Sequence, residues 1–244
     1  MSPFAAEIIG TMLLMFIGNG VVANVLLKET KGNSSGWVVI TLAWGLAVYV
    51  AVVVAGPYSG AHINPAVTLS LAIAGKFAWS MVGQYLLAQA IGAAIGVTLV
   101  WLMYRDHYLI TDDTNAKLAT FCTGPAIRNP LSNLLSEALG TFVLILGVLY
   151  IIGPEMTIDD AEVAIGLGSI GALPIALFVT VIGMGLGGTT GYAINPARDL
   201  IPRIMHTLLP MGVKRDSDWS YAWVPVIGPL VGAAAATYLF LWLQ

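Results

Sequence analysis

Charge is the scarcest property of this chain. Lys, Arg, Asp and Glu make up 9% of its 244 residues, too little for a soluble domain of that size. A net charge of −3 also argues against a nucleic-acid partner, which calls for a basic patch. Cysteine occurs once, as Cys122, so an intrachain disulfide is excluded and a cysteine metal site has no basis. His107 and His206 have no further ligand at a metal-binding spacing and read as surface or packing residues. No metal and no cofactor is expected. A basic leader with a small-residue cleavage site is missing too, so the first apolar stretch reads as a retained helix.

Apolar residues fill the space that charge leaves, with 58% hydrophobic composition and a mean hydropathy of +0.85. Stretches near the ~20 residues that span a bilayer run at 4–27, 36–55, 80–103, 132–152, 164–186 and 221–243. Six spans leave no soluble domain. The chain also repeats itself. Ser59-Gly60-Ala61-His62-Ile63-Asn64-Pro65-Ala66 is matched by Gly191-Tyr192-Ala193-Ile194-Asn195-Pro196-Ala197-Arg198, with the asparagines 131 residues apart. Glu7-x-x-Gly10-Thr11 is matched by Glu137-x-x-Gly140-Thr141 at an offset of 130. The duplication therefore covers whole halves, read as 1–103 and 132–244 joined by a linker at 104–131. Three spans per half make the second copy inverted in the membrane. The expected fold is all-α, with six transmembrane helices and two half-membrane helices in inverted repeats.

The half-helices follow from the repeated box. Asn64 and Asn195 are placed as N-caps, with Pro65 and Pro196 at the first helical position, where a missing N–H costs nothing. Pro202 and Pro210 keep the second of these helices far shorter than a span. Non-helical backbone cannot face lipid, so loops 59–63 and 190–194 must be buried or line an aqueous space. Inverted halves bring both N-termini, with their positive dipole ends, to one central spot. If each asparagine oxygen caps its own helix, each amide NH₂ faces the lumen. A site of donors alone interrupts a proton wire and repels cations, which suits a neutral polar solute.

Arg198 sits in the first turn of its helix, against the dipole. It reads either as a fixed donor fork at a constriction or as a structural arginine paired with Asp199. Trp44 and Tyr192 would give the carbon side of a solute an apolar wall opposite it, although Trp44 taken alone reads more readily as packing or an interfacial anchor. Glu7 and Glu137 are placed as acceptors for loop N–H groups, with proton relay as the alternative. His62, Gly60, Ala61, Gly191 and Ala193 are assigned to the pore-lining loop backbone.

These motifs closely resemble the major intrinsic proteins, the aquaporins and glycerol facilitators, over essentially the whole chain. The resemblance implies a single channel domain over 1–244, a selectivity ring of Trp44, Gly183, Tyr192 and Arg198, and homotetramers with one pore per subunit. Trp44 with Gly183 is similar to the glycerol-conducting branch, as are Asp199, Arg203 and Pro225. Tyr192 departs from the phenylalanine common there, and its hydroxyl is expected to add polarity. The implied partners are glycerol, water and similar small neutral solutes, within the lipid bilayer of the cell membrane.

A water-selective channel is the nearest alternative, disfavoured by Gly183 and Asp199. A gradient-coupled transporter would need an intramembrane acid beyond Glu7 and Glu137, and an intramembrane enzyme would need a nucleophile–base pair or metal cluster; neither is evident. Cytoplasmic termini follow from the resemblance, yet they would leave Lys28, Lys31, Arg105, Lys117, Arg128, Lys214 and Arg215 on the outer side and the acidic Glu155, Asp159, Asp160 and Glu162 inside. The positive-inside rule favours the reverse.

Overall fold

The structure, a computed structural model, describes every residue except 152, 154, 159 and 160, with backbone only at 155–158 and 161–164. Asp159 and Asp160 of the acidic run therefore lie outside the described residues. The chain runs through α1 (Pro3–Leu26), α2 (Trp37–Ser59), the short α3 (Pro65–Ile73), α4 (Trp79–Met103), α5 (Arg105–Ile110), α6 (Thr114–Ala119) and α7 (Pro130–Tyr150). A hairpin of β1 (Glu155–Ile158) and β2 (Ala161–Ala164) follows, then α8 (Leu173–Leu186), α9 (Pro196–Leu208) and α10 (Val224–Leu243). A 3₁₀ turn at Gly168–Ala172 leads into α8. Six of these segments are long and apolar enough to cross a membrane: α1, α2, α4, α7, the turn with α8, and α10. Their outward faces are apolar, with Val38 and Leu46 of α2 and Leu177 and Val181 of α8 all exposed.

Several helices begin by the same local chemistry. Ser2, Asn64, Asn129 and Asn195 each cap through the side chain, and each is followed by proline at the first helical position. Two of these capped helices, α3 and α9, stay short. At about 1.5 Å per residue, α3 with 9 residues and α9 with 13 each fall short of the roughly 30 Å hydrocarbon core. Pro202 does not end α9, which runs on to Leu208, where Lys214 Nζ donates to the carbonyls of His206, Thr207 and Leu209.

Close approach of helices needs small residues at the contact. A Cβ at Gly92 or Gly96 would run into the backbone of Ile8 or Met12, and one at Gly228 or Gly232 into Glu137 or Ala138. Both small-residue pairs are thus spent on internal packing, α4 on α1 and α10 on α7. The linker 104–131 is ordered around α5 and α6, and the β1–β2 hairpin is an addition to the all-α expectation.

Candidate functional site

The two half-helices meet by their N-termini. Asn64 Oδ1 accepts the Ala66 N–H at 2.8 Å, and Asn195 Oδ1 accepts those of Ala197 and Arg198 at 3.1 and 3.2 Å. The amide nitrogens cross over: Asn64 Nδ2 donates to the Ile194 carbonyl and Asn195 Nδ2 to the Ile63 carbonyl, both at 2.9 Å. One hydrogen of each amide is therefore used to lock the opposite loop. This modifies the expectation of two free NH₂ groups, because a single hydrogen per asparagine remains for the cavity that both line.

Each loop is held from behind by a buried carboxylate. Glu7 accepts from the N–H of His62 and Ile63 at 2.9 and 2.8 Å, from the Ser59 hydroxyl and from Gln89 Nε2. Glu137 accepts from the N–H of Ala193 and Ile194 at 3.0 and 2.9 Å. Turning the N–H groups backward requires left-handed backbone at residues that resist it. Ala61, Ile63, Tyr192 and Ile194 all have positive φ, at 48°, 46°, 38° and 43°. Each costs on the order of 1–3 kcal/mol and persists because the surroundings over-determine it. In return the carbonyls of 60–62 are left without protein partners among the described residues, on a segment that lines the cavity.

That cavity, about 230 Å³, runs past both asparagines to Arg198. The guanidinium carbon of Arg198 lies 4.2 Å from the centroid of Trp44, and its Nη1 donates to the Phe121 carbonyl at 3.3 Å. Asp199 is not its partner. That carboxylate accepts from Arg203 at 2.9 and 2.7 Å and from the N–H and hydroxyl of Thr123 at 2.7 and 2.6 Å. Arg203 also donates to the carbonyls of Thr123, Ser217 and Asp218, so the loops around the cavity mouth are tied to α9 by one buried ion pair. Pro225 is buried in the first turn of α10.

Tyr192 and Gly183 pack directly against one another. A Cβ on Gly183 would come within 2.7 Å of Tyr192 Cζ and 2.8 Å of its hydroxyl. The ring thus occupies the space that glycine leaves, edge-on to Trp37 at 5.8 Å. The hydroxyl is buried with no partner among the described residues and lies against Gly183 of α8. Trp44, Tyr192 and Arg198 line the cavity, whereas Gly183 shapes it from behind. Gly191, assigned to the pore lining, lies instead in an outer depression with Trp37, Gly187 and Gly188, while Gly60, Ala61, His62 and Ala193 do line the cavity.

Several contributors lie outside the repeated motifs. Gly18 makes room for the Trp44 ring, which a Cβ there would overlap. Gln89 bridges Glu7 and Thr68. The Phe121 carbonyl comes from the linker, 77 residues before Arg198. His206 is fully buried, packed edge-on to Phe121 and bonded to Ser217, while His107 is half-buried and bonded to the Lys28 carbonyl. Cys122 is buried; burial pushes its thiol well above the ordinary range and makes it a poor nucleophile.

Comparison with known proteins gives a consistent picture. Residues 1–240 match the family described as major intrinsic protein. A probable glycerol uptake facilitator of Thermotoga maritima is 53% identical over 243 residues, covering 100% of both chains. The glycerol uptake facilitator of Bacillus subtilis is 48% identical over 96% of this chain and 82% of its own. A D/L-lactic acid transporter of Lactiplantibacillus plantarum is 40% identical over 96% and 94%. Among solved structures, the aquaglyceroporin of Plasmodium falciparum superposes with a TM-score of 0.81 at 28% identity, covering 97% and 93%.

Proposed function

Because this chain belongs to the major intrinsic protein family, we propose that it is a passive transmembrane channel for glycerol and other small neutral solutes. It also passes water and excludes protons and ions. It is an integral, multi-pass membrane protein and not an enzyme. The observation that carries the reading is the ring at Arg198. A guanidinium with one protein acceptor faces the cavity beside two aromatic walls, Trp44 and Tyr192. A polyol gives up water on entering so narrow a site. Its hydroxyls accept from Arg198 on one side while its carbon edge slides along the rings on the other. Deeper in, the asparagine hydrogens and the loop carbonyls take over in turn.

Coupling to an ion gradient is disfavoured by Glu7 and Glu137, whose oxygens are already occupied by loop donors. Water selectivity is disfavoured by Gly183, whose missing side chain leaves room for the Tyr192 ring. The lactic acid transporter among the relatives adds the undissociated acid, also small and neutral, to the proposed solutes. The functional unit is read as a homotetramer in the cell membrane with both termini cytoplasmic. Three of the basic residues this leaves outside have local partners: Lys117 with the carbonyls of Met211 and Val213, Lys214 with the end of α9, and Arg128 with Asp218. They serve loop structure, which weakens the positive-inside argument against this orientation.

Stopped-flow light scattering on proteoliposomes tests the reading. Rapid glycerol uptake that does not saturate and needs no ion gradient is expected. Glycerol flux at the level of protein-free vesicles, or saturable flux driven by sodium or protons, would overturn it.

A further inference from the structure

Asn19, in the C-terminal third of α1, is fully buried and belongs to none of the repeated motifs. Its Nδ2 donates to two consecutive linker carbonyls, Thr120 at 2.7 Å and Phe121 at 2.8 Å. The second of these is the same oxygen that accepts from Arg198 Nη1. A carbonyl has two lone pairs, and here one is taken by Asn19 and the other by Arg198. The neighbouring residue, Gly18, is what allows Trp44 to lie where Arg198 stacks on it. Two consecutive residues of α1 thus set both partners of the guanidinium.

We propose that Asn19 is a specificity-determining positioning residue, holding the linker carbonyl that fixes the orientation of the Arg198 donors at the ring. The inference rests on the channel reading above. The rest of the linker edge is held independently: Thr120 by Tyr108 and by the Lys117 carbonyl, and Thr123 by Asp199. Asn19 is the group that acts on the Phe121 oxygen itself. Without its amide the linker stays docked, but that oxygen is free to shift and the guanidinium loses its fixed angle. Glycerol, which must exchange hydration for directed hydrogen bonds, depends on that angle more than water does.

The test uses the full-length protein in proteoliposomes, reading glycerol and water permeability together. Asn19→Asp keeps the shape but turns acceptors towards two carbonyls, and Asn19→Leu removes the polar contact altogether. In both, the glycerol-to-water ratio is expected to fall about tenfold, the scale of one lost charge-assisted hydrogen bond. In an Arg198→Ala background the same substitutions should leave the ratio unchanged, because the coupling runs through Arg198. Parallel loss of glycerol and water flux, an unchanged ratio, or an equal effect without Arg198 would overturn the assignment. Failure of both variants to give folded protein would also overturn it, by making Asn19 a residue that holds the fold. Wild-type vesicles with no glycerol flux above lipid would instead sink the channel reading on which it depends.

Discussion

The two half-helices share a backbone and differ in chemistry. Asn64 and Asn195, Pro65 and Pro196, and the positive φ values at 61, 63, 192 and 194 superimpose one repeat on the other. At the same offset of 131, however, Val67 answers to Arg198, Thr68 to Asp199 and Ala72 to Arg203. The first half-helix carries no ionisable side chain, and its loop is secured by the neutral groups Thr68, Gln89 and Ser59 around Glu7. The second carries a buried cation at the ring and a buried ion pair that ties down the linker. The shared frame supplies the central asparagines and inward carbonyls, features indifferent to the identity of a neutral solute. The divergent residues cluster at one mouth, where we propose that a solute is chosen.

Substitutions at matched positions separate these two layers. The largest effect is expected for Asp199→Leu, which strands Arg203 in the interior at a cost of about 3–5 kcal/mol. Its counterpart Thr68→Val forfeits neutral bonds and should cost about 1–3 kcal/mol; thermal midpoints of the two purified proteins would check the order. Next come Glu7→Gln and Glu137→Gln. Each puts an amide donor where the backbone already donates, so both should lose about 2 kcal/mol. Strongly unequal midpoints would break the claim that the frame is shared. At the ring, Gly183→Ala forces Tyr192 forward from a 2.7 Å overlap. Glycerol permeability should then drop by about tenfold, as a ~1 Å misplacement can cost even more, with water affected less. The smallest effect belongs to Tyr192→Phe. It removes a buried hydroxyl that has no partner among the described residues, so stability should hold or rise by up to about 1 kcal/mol and glycerol flux should stay close to wild type.

The frame was legible in the sequence because it is written in local signals. Asparagine before proline specifies a capped helix start, and a repeated lone glutamate in an apolar span asks for internal partners. The selective layer was harder to read. Arg198, Trp44 and Tyr192 are candidates in the sequence itself, but their ring with Gly183 follows from the resemblance, and nothing local announces that the Tyr192 ring fills the room left by Gly183. Asn19 and the Phe121 carbonyl meet across 102 residues, and Arg203 and Thr123 across 80, so no window of sequence contains both partners. The crossing of Asn64 and Asn195 onto each other's loops was missed for the same reason: it exists only once the halves have docked.

Glycerol and water permeability of the matched pair Val67→Ala and Arg198→Ala tests this division most directly. Both side chains line the cavity from the third residue after their asparagines. Loss of the Arg198 donors should lower the glycerol-to-water ratio by about tenfold or more, while Val67→Ala should change it less than twofold, within the small effect expected of trimming an apolar wall. Equal changes in the two variants would contradict the account, because selection would then belong to the frame and not to the residues in which the second repeat departs from the first.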